Sequence, residues 1–383
     1  MSQYTYLDNN STTPLDPRVL DAMMPYLTDI YSNAASNHTF GKASHDAVQK
    51  AREEVADLIG ARTREIIFTS GATEGINLAM KGVADKYQTK GKHIITVATE
   101  HSAVLDTGKY LAQQGFEVEY LAVKEDGLLE LEVVKAALRP DTILLSVMMV
   151  NNETGVIQPI KELAALAHEA GALFMTDATQ AVGKMPLNVE QLGIDLMPFS
   201  AHKFYGPKGV GGLYVRSQGP HKVKLNALQH GGGHERGMRS GTLNTPGIVG
   251  LGAAANIAKK DMDKDAQGIK AIRDRLEKEL LKIPNSFING SVDHRLYNTS
   301  NICFQGVDAD AVIVGLENIS VSSGSACTAV SVDPSHVLVA MGRTEAEAYG
   351  SLRFSLGRMN TDKVLDELIP KITETIQKLR QMV

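Results

Sequence analysis

The 383 residues include 43% hydrophobic and 22% charged residues and carry a net charge of -5, which is ordinary for a soluble globular protein. This charge predicts no nucleic-acid or anionic-membrane partner, and no apolar run is long enough to span a bilayer. Two cysteines do not make a disulfide framework and the first residues lack a signal-peptide pattern, so we expect a reducing, cytoplasmic setting.

Short apolar runs alternate with helical patterns over the first two thirds of the chain. Apolar residues at helical spacing predict helices over Ala43–Ile59 and Ile160–Ala170. The strand candidates are Ile66–Thr69, His93–Ala98, Val118–Ala122, Thr142–Met149, Leu173–Thr176, Leu196–Phe199 and Gly212–Val215. Such alternation predicts crossover connections and a mostly parallel sheet, which binds ligands at the carboxyl ends of its strands.

The pattern changes after about Ala255. Lys259–Lys282 is a highly charged helical stretch that we interpret as the connection between two domains. Beyond it lie the apolar segments Thr299–Phe304, Val312–Leu316 and Ile319–Ser322, and a helix that begins at Asp362. The sequence therefore predicts a large α/β domain over residues 15–255 and a smaller α+β domain made of residues 1–14 and 256–383.

Polar residues follow two of the strand candidates. Lys203 comes after the strand that ends near Ser200, and a lysine there could bond covalently to an aldehyde cofactor, unless it is only a surface residue of a glycine-rich loop. Asp177 follows another strand and could keep a pyridine nitrogen protonated, or could cap a helix. Gln180 could donate to a phenolate oxygen of the same ring.

Two further strand ends carry candidate residues. The turn after Ile66–Thr69 leads into a helical pattern, whose first N–H groups and the Thr73 hydroxyl suit a phosphate, although a plain capped turn has the same pattern. His101 follows the next strand and could stack on a planar ring and move protons, or could be a structural histidine. Since the carboxyl ends of parallel strands share one edge, we expect these residues to form one site.

The two cysteines lie in contrasting surroundings. Cys327 is in a Ser/Gly-rich segment, Ser322–Ala329, whose composition suits the exposure that a nucleophilic thiol needs. Cys303 lies in an apolar run between Ile302 and Phe304, which indicates an inert core thiol.

Several long motifs carry a family resemblance. They are Tyr6–Asp8, Gly71–Glu74, Glu100–His101, Asn151–Glu153, Asp177–Gln180, Ser200–Lys203, Gly231–Thr242, the Cys327 segment and Ser351–Arg358. Together they resemble the cysteine desulfurases of the NifS/IscS type, in the class V aminotransferase group of pyridoxal-phosphate enzymes. The resemblance covers nearly the whole chain and implies the fold of aspartate aminotransferase (fold type I), with a seven-stranded sheet in the large domain.

The resemblance also implies a cofactor and roles for individual residues. Pyridoxal 5′-phosphate would be bound by Ala72, Thr73, His101, Asn152, Asp177, Gln180, Ser200, His202 and Lys203. Thr242 would reach the phosphate in the other subunit of a homodimer. Asn152 and Arg353 would bind the substrate, with the Arg353 guanidinium on the carboxylate of L-cysteine. Without the motif, Arg353 could equally form a surface salt bridge.

The activity implied is conversion of L-cysteine to L-alanine, with Lys203, Cys327 and His101 as catalytic residues and a persulfide left on Cys327. The sulfur would then pass to an acceptor such as an iron–sulfur scaffold protein, and Cys327 could transiently ligate a cluster. Selenocysteine cleavage, transamination and a catalytically silent interaction protein remain alternatives. The chain ends at Val383, where relatives of the IscS type carry a longer tail that engages the scaffold, so the acceptor is not predicted.

Overall fold

The computed structural model describes residues 4–323 and 333–382. Within them the strands are β1 (Thr5–Tyr6), β2 (Ile66–Thr69), β3 (His93–Val97), β4 (Glu117–Leu121), β5 (Thr142–Ser146), β6 (Leu173–Met175), β7 (Leu196–Ser200), β8 (Gly211–Val215), β9 (Ser286–Ile288), β10 (Thr299–Phe304), β11 (Ile319–Ser320) and β12 (Ser351–Ser355). The α-helices are α1 (Pro17–Thr28), α2 (Thr39–Ile59), α3 (Ala72–Tyr87), α4 (Ser102–Gln113), α5 (Leu131–Ala137), α6 (Ile160–Glu169), α7 (Thr245–Leu280), α8 (Ala309–Gly315), α9 (His336–Ala340), α10 (Glu345–Tyr349) and α11 (Asp362–Arg380).

The central sheet has seven strands in the order β2-β8-β7-β6-β5-β3-β4. β8 runs antiparallel to both of its neighbours, and the other pairs are parallel. The predicted mostly parallel α/β sheet is therefore confirmed. The strand predicted to reach Met149 ends at Ser146, because the chain beyond it turns to form a pocket wall that includes Met148 and Val150.

Helices cover both faces of this sheet. Successive strand residues point to opposite faces, so Phe68 contributes to one apolar core and Ile67 to the other. The first core includes buried residues of α2, α6 and the start of α7, and the second includes those of α3 and α4. This packing places the start of α3 and of α4 at the carboxyl edge of the sheet.

A third core lies around the antiparallel sheet β12-β10-β9, with α8, α11 and Leu7. The long helix α7 connects the regions, because Met262 packs in the first core whereas Ile269 and Leu276 pack in the third. The division of the chain at residues 15 and 255 stays a prediction. None of the helices in the described residues is both long and apolar enough to cross a membrane.

A buried ion pair covers the edge strand β2. Arg52 donates to both carboxylate oxygens of Glu235, at 2.8 and 2.7 Å, and to the carbonyl oxygen of Ile66. Glu235 in turn accepts from the backbone N–H of Phe68 at 2.8 Å. These bonds satisfy backbone groups that an edge strand leaves unpaired, and they fix the segment that leads to Thr242 against the sheet.

Candidate active site

A cavity of about 550 Å³ lies where β2, β3, β5, β6 and β7 end at their carboxyl termini. Its walls include ten of the residues proposed from the sequence: Ala72, Thr73, His101, Asn152, Asp177, Gln180, Ser200, His202, Lys203 and Arg353. The expectation that strand-end residues meet at one edge is met for this group. Thr242 does not line this cavity, and Cys327 lies outside the described residues.

One end of the cavity is formed by the start of α3. The helix begins at Ala72, directly after Gly71, and its first N–H groups have no acceptor within the helix. β8 passes so close that a Cβ on Gly211 would lie 2.7 Å from the Gly71 Cα, which requires glycine at this position. The helix N-terminus and the Thr73 and Ser200 hydroxyls can together bind an anion.

Glu74 places a negative charge at this end of the cavity, and groups of the same chain compensate that charge. Glu74 lines the cavity, but its carboxylate accepts from Arg239 at 2.8 Å and from the backbone N–H of Ser70 at 2.7 Å. Burial works to raise the pKa of Glu74, yet these hydrogen bonds outweigh it and the net pKa is lowered. Glu74 therefore stays ionised and paired, and does not prevent an anion from binding at the helix start.

Asp177 makes a local contact and also lies in the cavity wall. One carboxylate oxygen accepts from the backbone N–H of Thr179 at 2.9 Å and from its hydroxyl, which closes a local turn. No helix begins at this position, so the alternative of a helix cap is wrong. The residue is also buried and lines the cavity. A buried carboxylate can keep a ring nitrogen protonated, so the local turn does not exclude the proposed role.

Lys203 lies in the short 3₁₀ turn that follows β7, with its amine directed to the N-terminal segment. The Nζ atom donates to the carbonyl oxygens of Asn10 and Ser11, each at 2.7 Å. Sequence reasoning assigned no role to either carbonyl. Asn10 is itself buried and bonded to Thr299 and Asn298, so the acceptor position is rigid.

His101 is the N-cap of α4. Its Nδ1 accepts from the backbone N–H of Ala103 at 3.1 Å, so the neutral ring carries its proton on Nε2. Burial lowers the pKa of His101, Lys203 lowers it further, and Asp177 partly opposes this. The imidazole is therefore neutral at pH 7 and available as a donor in the cavity wall, in addition to its structural role.

Glu100, which precedes His101, is a buried acid to which the sequence interpretation assigned no role. One of its carboxyl oxygens accepts from the backbone N–H of Met148 at 2.5 Å, and the other has no hydrogen-bond partner in the described chain. Burial and the negative charge of Asp177 raise the pKa of Glu100 well above its ordinary value. A buried acid with a strongly raised pKa thus lies behind the cavity wall.

Arg353 is buried, so the salt bridge that it forms with Asp8 does not lie at the surface as the alternative expected. Its guanidinium donates to Asp8 at 2.6 Å and to the carbonyl oxygen of Asn152 at 3.1 Å, and its Nε has no partner among the described residues. The backbone of Ser322, the first residue of the Cys327 segment, pairs with that of Arg353, so the start of this segment lies beside a residue of the cavity wall.

Cys303 lies in β10 and is fully buried, as its apolar surroundings indicated. Burial raises the pKa of the Cys303 thiol to about 11, so it is almost entirely protonated at neutral pH. A protonated, enclosed thiol is a poor nucleophile.

The donor set of the cavity has a definite chemical character. It offers an anion site at a helix start, a buried carboxylate, a neutral imidazole and a lysine amine, all lining one cavity. These groups fit a flat aromatic aldehyde that carries a phosphate.

Comparison with known proteins agrees with this geometry. The aminotransferase class V family model matches residues 5–368. Cysteine desulfurase IscS of Anaeromyxobacter sp. (strain K) is 53% identical over 379 residues, which is 98% of this chain and 93% of that protein. A solved NifS-like protein is 38% identical with a TM-score of 0.92, covering 98% of this chain and all of the other. The structure of SspA in complex with cysteine is 39% identical with a TM-score of 0.82, over 93% of this chain and all of that one.

These similarities extend over the seven-stranded and three-stranded sheets and the connecting helix α7, and they confirm the family resemblance and the fold predicted from the sequence. The chain therefore belongs to the aminotransferase class V family.

Proposed function

We propose that this chain is a pyridoxal-phosphate-dependent cysteine desulfurase, which converts L-cysteine to L-alanine and retains the sulfur as a persulfide on Cys327. The observation that carries the proposal is the meeting of Lys203, Asp177, His101 and Arg353 in one cavity at the edge of the sheet. Relatives named cysteine desulfurase, at about half identity over nearly the whole chain, support the same activity.

The cavity residues divide into those that would bind the cofactor and those that would bind the substrate. The start of α3, with Thr73, Ser200 and His202, would bind the phosphate, and Asp177 would pair with the ring nitrogen. Lys203 would bond to the aldehyde carbon. When bound, pyridoxal 5′-phosphate supplies an electron sink for the bonds at the substrate Cα.

The protein's own groups would then handle protons and orientation. The Lys203 amine, once released by the substrate, would take the Cα proton, and the carbonyl oxygens of Asn10 and Ser11 hold the amine when it is not bonded to the cofactor. His101 lines the cavity and, with Nδ1 engaged by Ala103, has its Nε2–H left to protonate or hydrogen-bond groups there. Because its pKa is lowered, His101 keeps this neutral form through the physiological pH range.

Arg353 would bind the substrate carboxylate. Its buried Nε has no partner in the described chain, so a bidentate carboxylate would satisfy an orphaned donor. Asp8 already binds one side of the guanidinium, and the opposite charges leave the Asp8–Arg353 pair with a net charge close to zero. A carboxylate bound here must share the guanidinium with Asp8 or displace it, and Asn152, whose carbonyl oxygen Arg353 also contacts, lies beside this position.

The sulfur step balances with one enzyme thiol. The Cys327 thiolate attacks the sulfur of the substrate, an S–S bond forms, the C–S bond breaks, and its electron pair and a proton end on the substrate Cβ. L-Cysteine and the thiol thereby give L-alanine and a persulfide, with no external oxidant. We propose delivery of this sulfur to acceptors such as an iron–sulfur scaffold protein in the cytoplasm, with transient cluster ligation by Cys327.

A product assay tests the activity against its alternatives. With L-cysteine and a thiol reductant, we expect equal amounts of L-alanine and sulfide, and visible absorption from the bound cofactor that borohydride abolishes. Formation of a keto acid in place of alanine would indicate transamination, and turnover of selenocysteine alone would indicate a selenocysteine lyase. A protein without cofactor absorption in any preparation would support the silent interaction protein.

We further propose that the active unit is a homodimer in which Thr242 reaches the other subunit's site. Thr242 lies in a second cavity, beside Tyr26 and Tyr31 at the end of α1, and outside the cavity of its own chain. The same helix exposes Leu20, Met24 and Leu27 at helical spacing. An exposed apolar stripe next to a polar segment fits a two-fold interface.

Subunit mixing tests the shared site. Lys203→Ala and Thr242→Asp homodimers should each be inactive, the second because a carboxylate opposes the phosphate. If the two chains are unfolded and refolded together, half of the dimers are mixed, and each mixed dimer has one intact site out of two. Activity should therefore recover to about a quarter of wild type. No recovery from mixtures that contain mixed dimers by mass measurement would refute the shared site.

A further inference from the structure

Lys184 is a buried lysine beside the cavity that the proposed chemistry does not use. Only 6% of the residue is exposed, and no carboxylate of the described chain lies within ion-pair distance of its amine. The charged groups that act on it, Lys203 and Arg353, are both cationic. A buried amine without a carboxylate counter-ion is costly, and such groups concentrate at functional sites.

The amine has one specific contact. Lys184 Nζ donates to the side-chain oxygen of Gln180 at 2.7 Å, four residues earlier in the turns that follow β6. The amide nitrogen of Gln180 donates to the carbonyl oxygen of Asn10 at 2.8 Å. That carbonyl oxygen also accepts from Lys203. A continuous row of hydrogen bonds therefore joins the buried lysine to the proposed cofactor lysine.

The two partners of Gln180 impose opposite requirements on its amide. The Asn10 carbonyl oxygen can only accept, so it must face the NH₂ group, whereas the Lys184 amine must face the oxygen in order to donate. An amide side chain is otherwise nearly symmetric in shape and can turn over. Together the two partners leave one orientation, with the NH₂ group on the side of Asn10 and Lys203.

This orientation matters for a ligand of the cavity. Gln180 lines the cavity, and its NH₂ group has a second hydrogen beyond the one given to Asn10. We propose that Lys184 is a positioning residue that holds the Gln180 amide with its N–H toward the cavity, where it donates to the phenolate oxygen of the cofactor. This inference rests on the proposed cofactor.

The proton state of Lys184 affects how firmly it orients the amide. Burial, followed by the positive charges of Lys203 and Arg353, lowers the pKa of Lys184 to about 7. The ammonium can only donate, so below this pH Lys184 requires the Gln180 oxygen on its side. The neutral amine can donate too, but its lone pair can also accept, so above this pH the Asn10 carbonyl oxygen alone excludes the reversed amide.

A double-mutant cycle on pyridoxal 5′-phosphate binding tests the assignment. Lys184→Met keeps the length and removes the donor, and it should weaken cofactor binding about tenfold and move the pH midpoint of the visible absorption to that of Gln180→Leu. In the Gln180→Leu background, Lys184→Met should alter the affinity for pyridoxal 5′-phosphate less than about twofold, because the amide that Lys184 orients is absent. Lys208→Met removes a second cavity lysine that does not contact Gln180, and its effect should be equal in both backgrounds.

Equal effects of Lys184→Met in the two backgrounds would overturn the proposal, because Lys184 would then act through charge or folding and not through Gln180. If Lys184→Met does not fold, Lys184→Gln replaces it. This variant keeps an N–H donor without charge, so near-wild-type affinity is expected, and an equal loss in both backgrounds refutes the role. A wild-type protein that binds no cofactor would refute the proposed function instead, which separates the two failures.

Discussion

Replacing Lys203 by alanine should abolish L-alanine production from L-cysteine, with kcat lowered on the order of 10⁴-fold or more. The Lys203 amine is the group proposed both to bond to the cofactor and to move the Cα proton, and one substitution removes both roles. Rates of L-alanine release at saturating pyridoxal 5′-phosphate would measure the loss. The fold should persist, since the amine contacts two backbone carbonyls that water can also satisfy.

Peptide mapping identifies the lysine that binds the cofactor, independently of the rate measurement. Borohydride reduction of the loaded wild-type protein should leave a phosphopyridoxyl group on Lys203, and Lys208→Ala should keep that label because Lys208 only lines the cavity. A label on another lysine, or normal turnover by Lys203→Ala, would refute the assignment.

Replacing Cys327 by alanine should stop sulfur transfer while leaving the cofactor bound. We expect L-alanine release to fall about 10³-fold or more, because the nucleophile that accepts the sulfur is lost. Cofactor absorption should stay close to wild type, since the proposed binding groups lie in the cavity wall. Alkylation after a single turnover without reductant, followed by peptide mass measurement, should show one additional sulfur on Cys327.

Cys303→Ala is the matched control. The Cys303 thiol is enclosed in β10 with a raised pKa, so its removal should lower the free energy of unfolding by only about 1 kcal/mol and leave turnover intact. An extra sulfur on Cys303, or normal turnover by Cys327→Ala, would contradict the proposed route.

Strand ends were the part of the site most accessible to sequence reasoning. Lys203, Asp177 and His101 each follow a short apolar run, and the alternation of strands and helices requires those ends to share an edge. Local pattern and one topological rule were therefore enough to group them. The same alternation predicted the mostly parallel sheet, but not the end of β5 at Ser146, since the next residues remain apolar while they form the cavity wall.

Other parts of the site depend on contacts between distant segments. The carbonyl groups that hold Lys203 come from residues more than 190 positions earlier, and Asp8 meets Arg353 across 345 positions. Backbone carbonyls are present at every residue, so no side-chain pattern distinguishes those of Asn10 and Ser11. Only the folded chain selects them.

Burial is the second property that the sequence leaves open. Glu100 and Lys184 are charged residue types that are usually exposed, yet both lie beneath the cavity wall with shifted pKa values. The sequence by itself determined the order of strands and helices, the family and the strand-end candidates, because these follow from periodicity and motif. The tertiary structure decided which groups lose water and which distant atoms meet, because desolvation and long-range hydrogen bonds arise only when separate segments pack together.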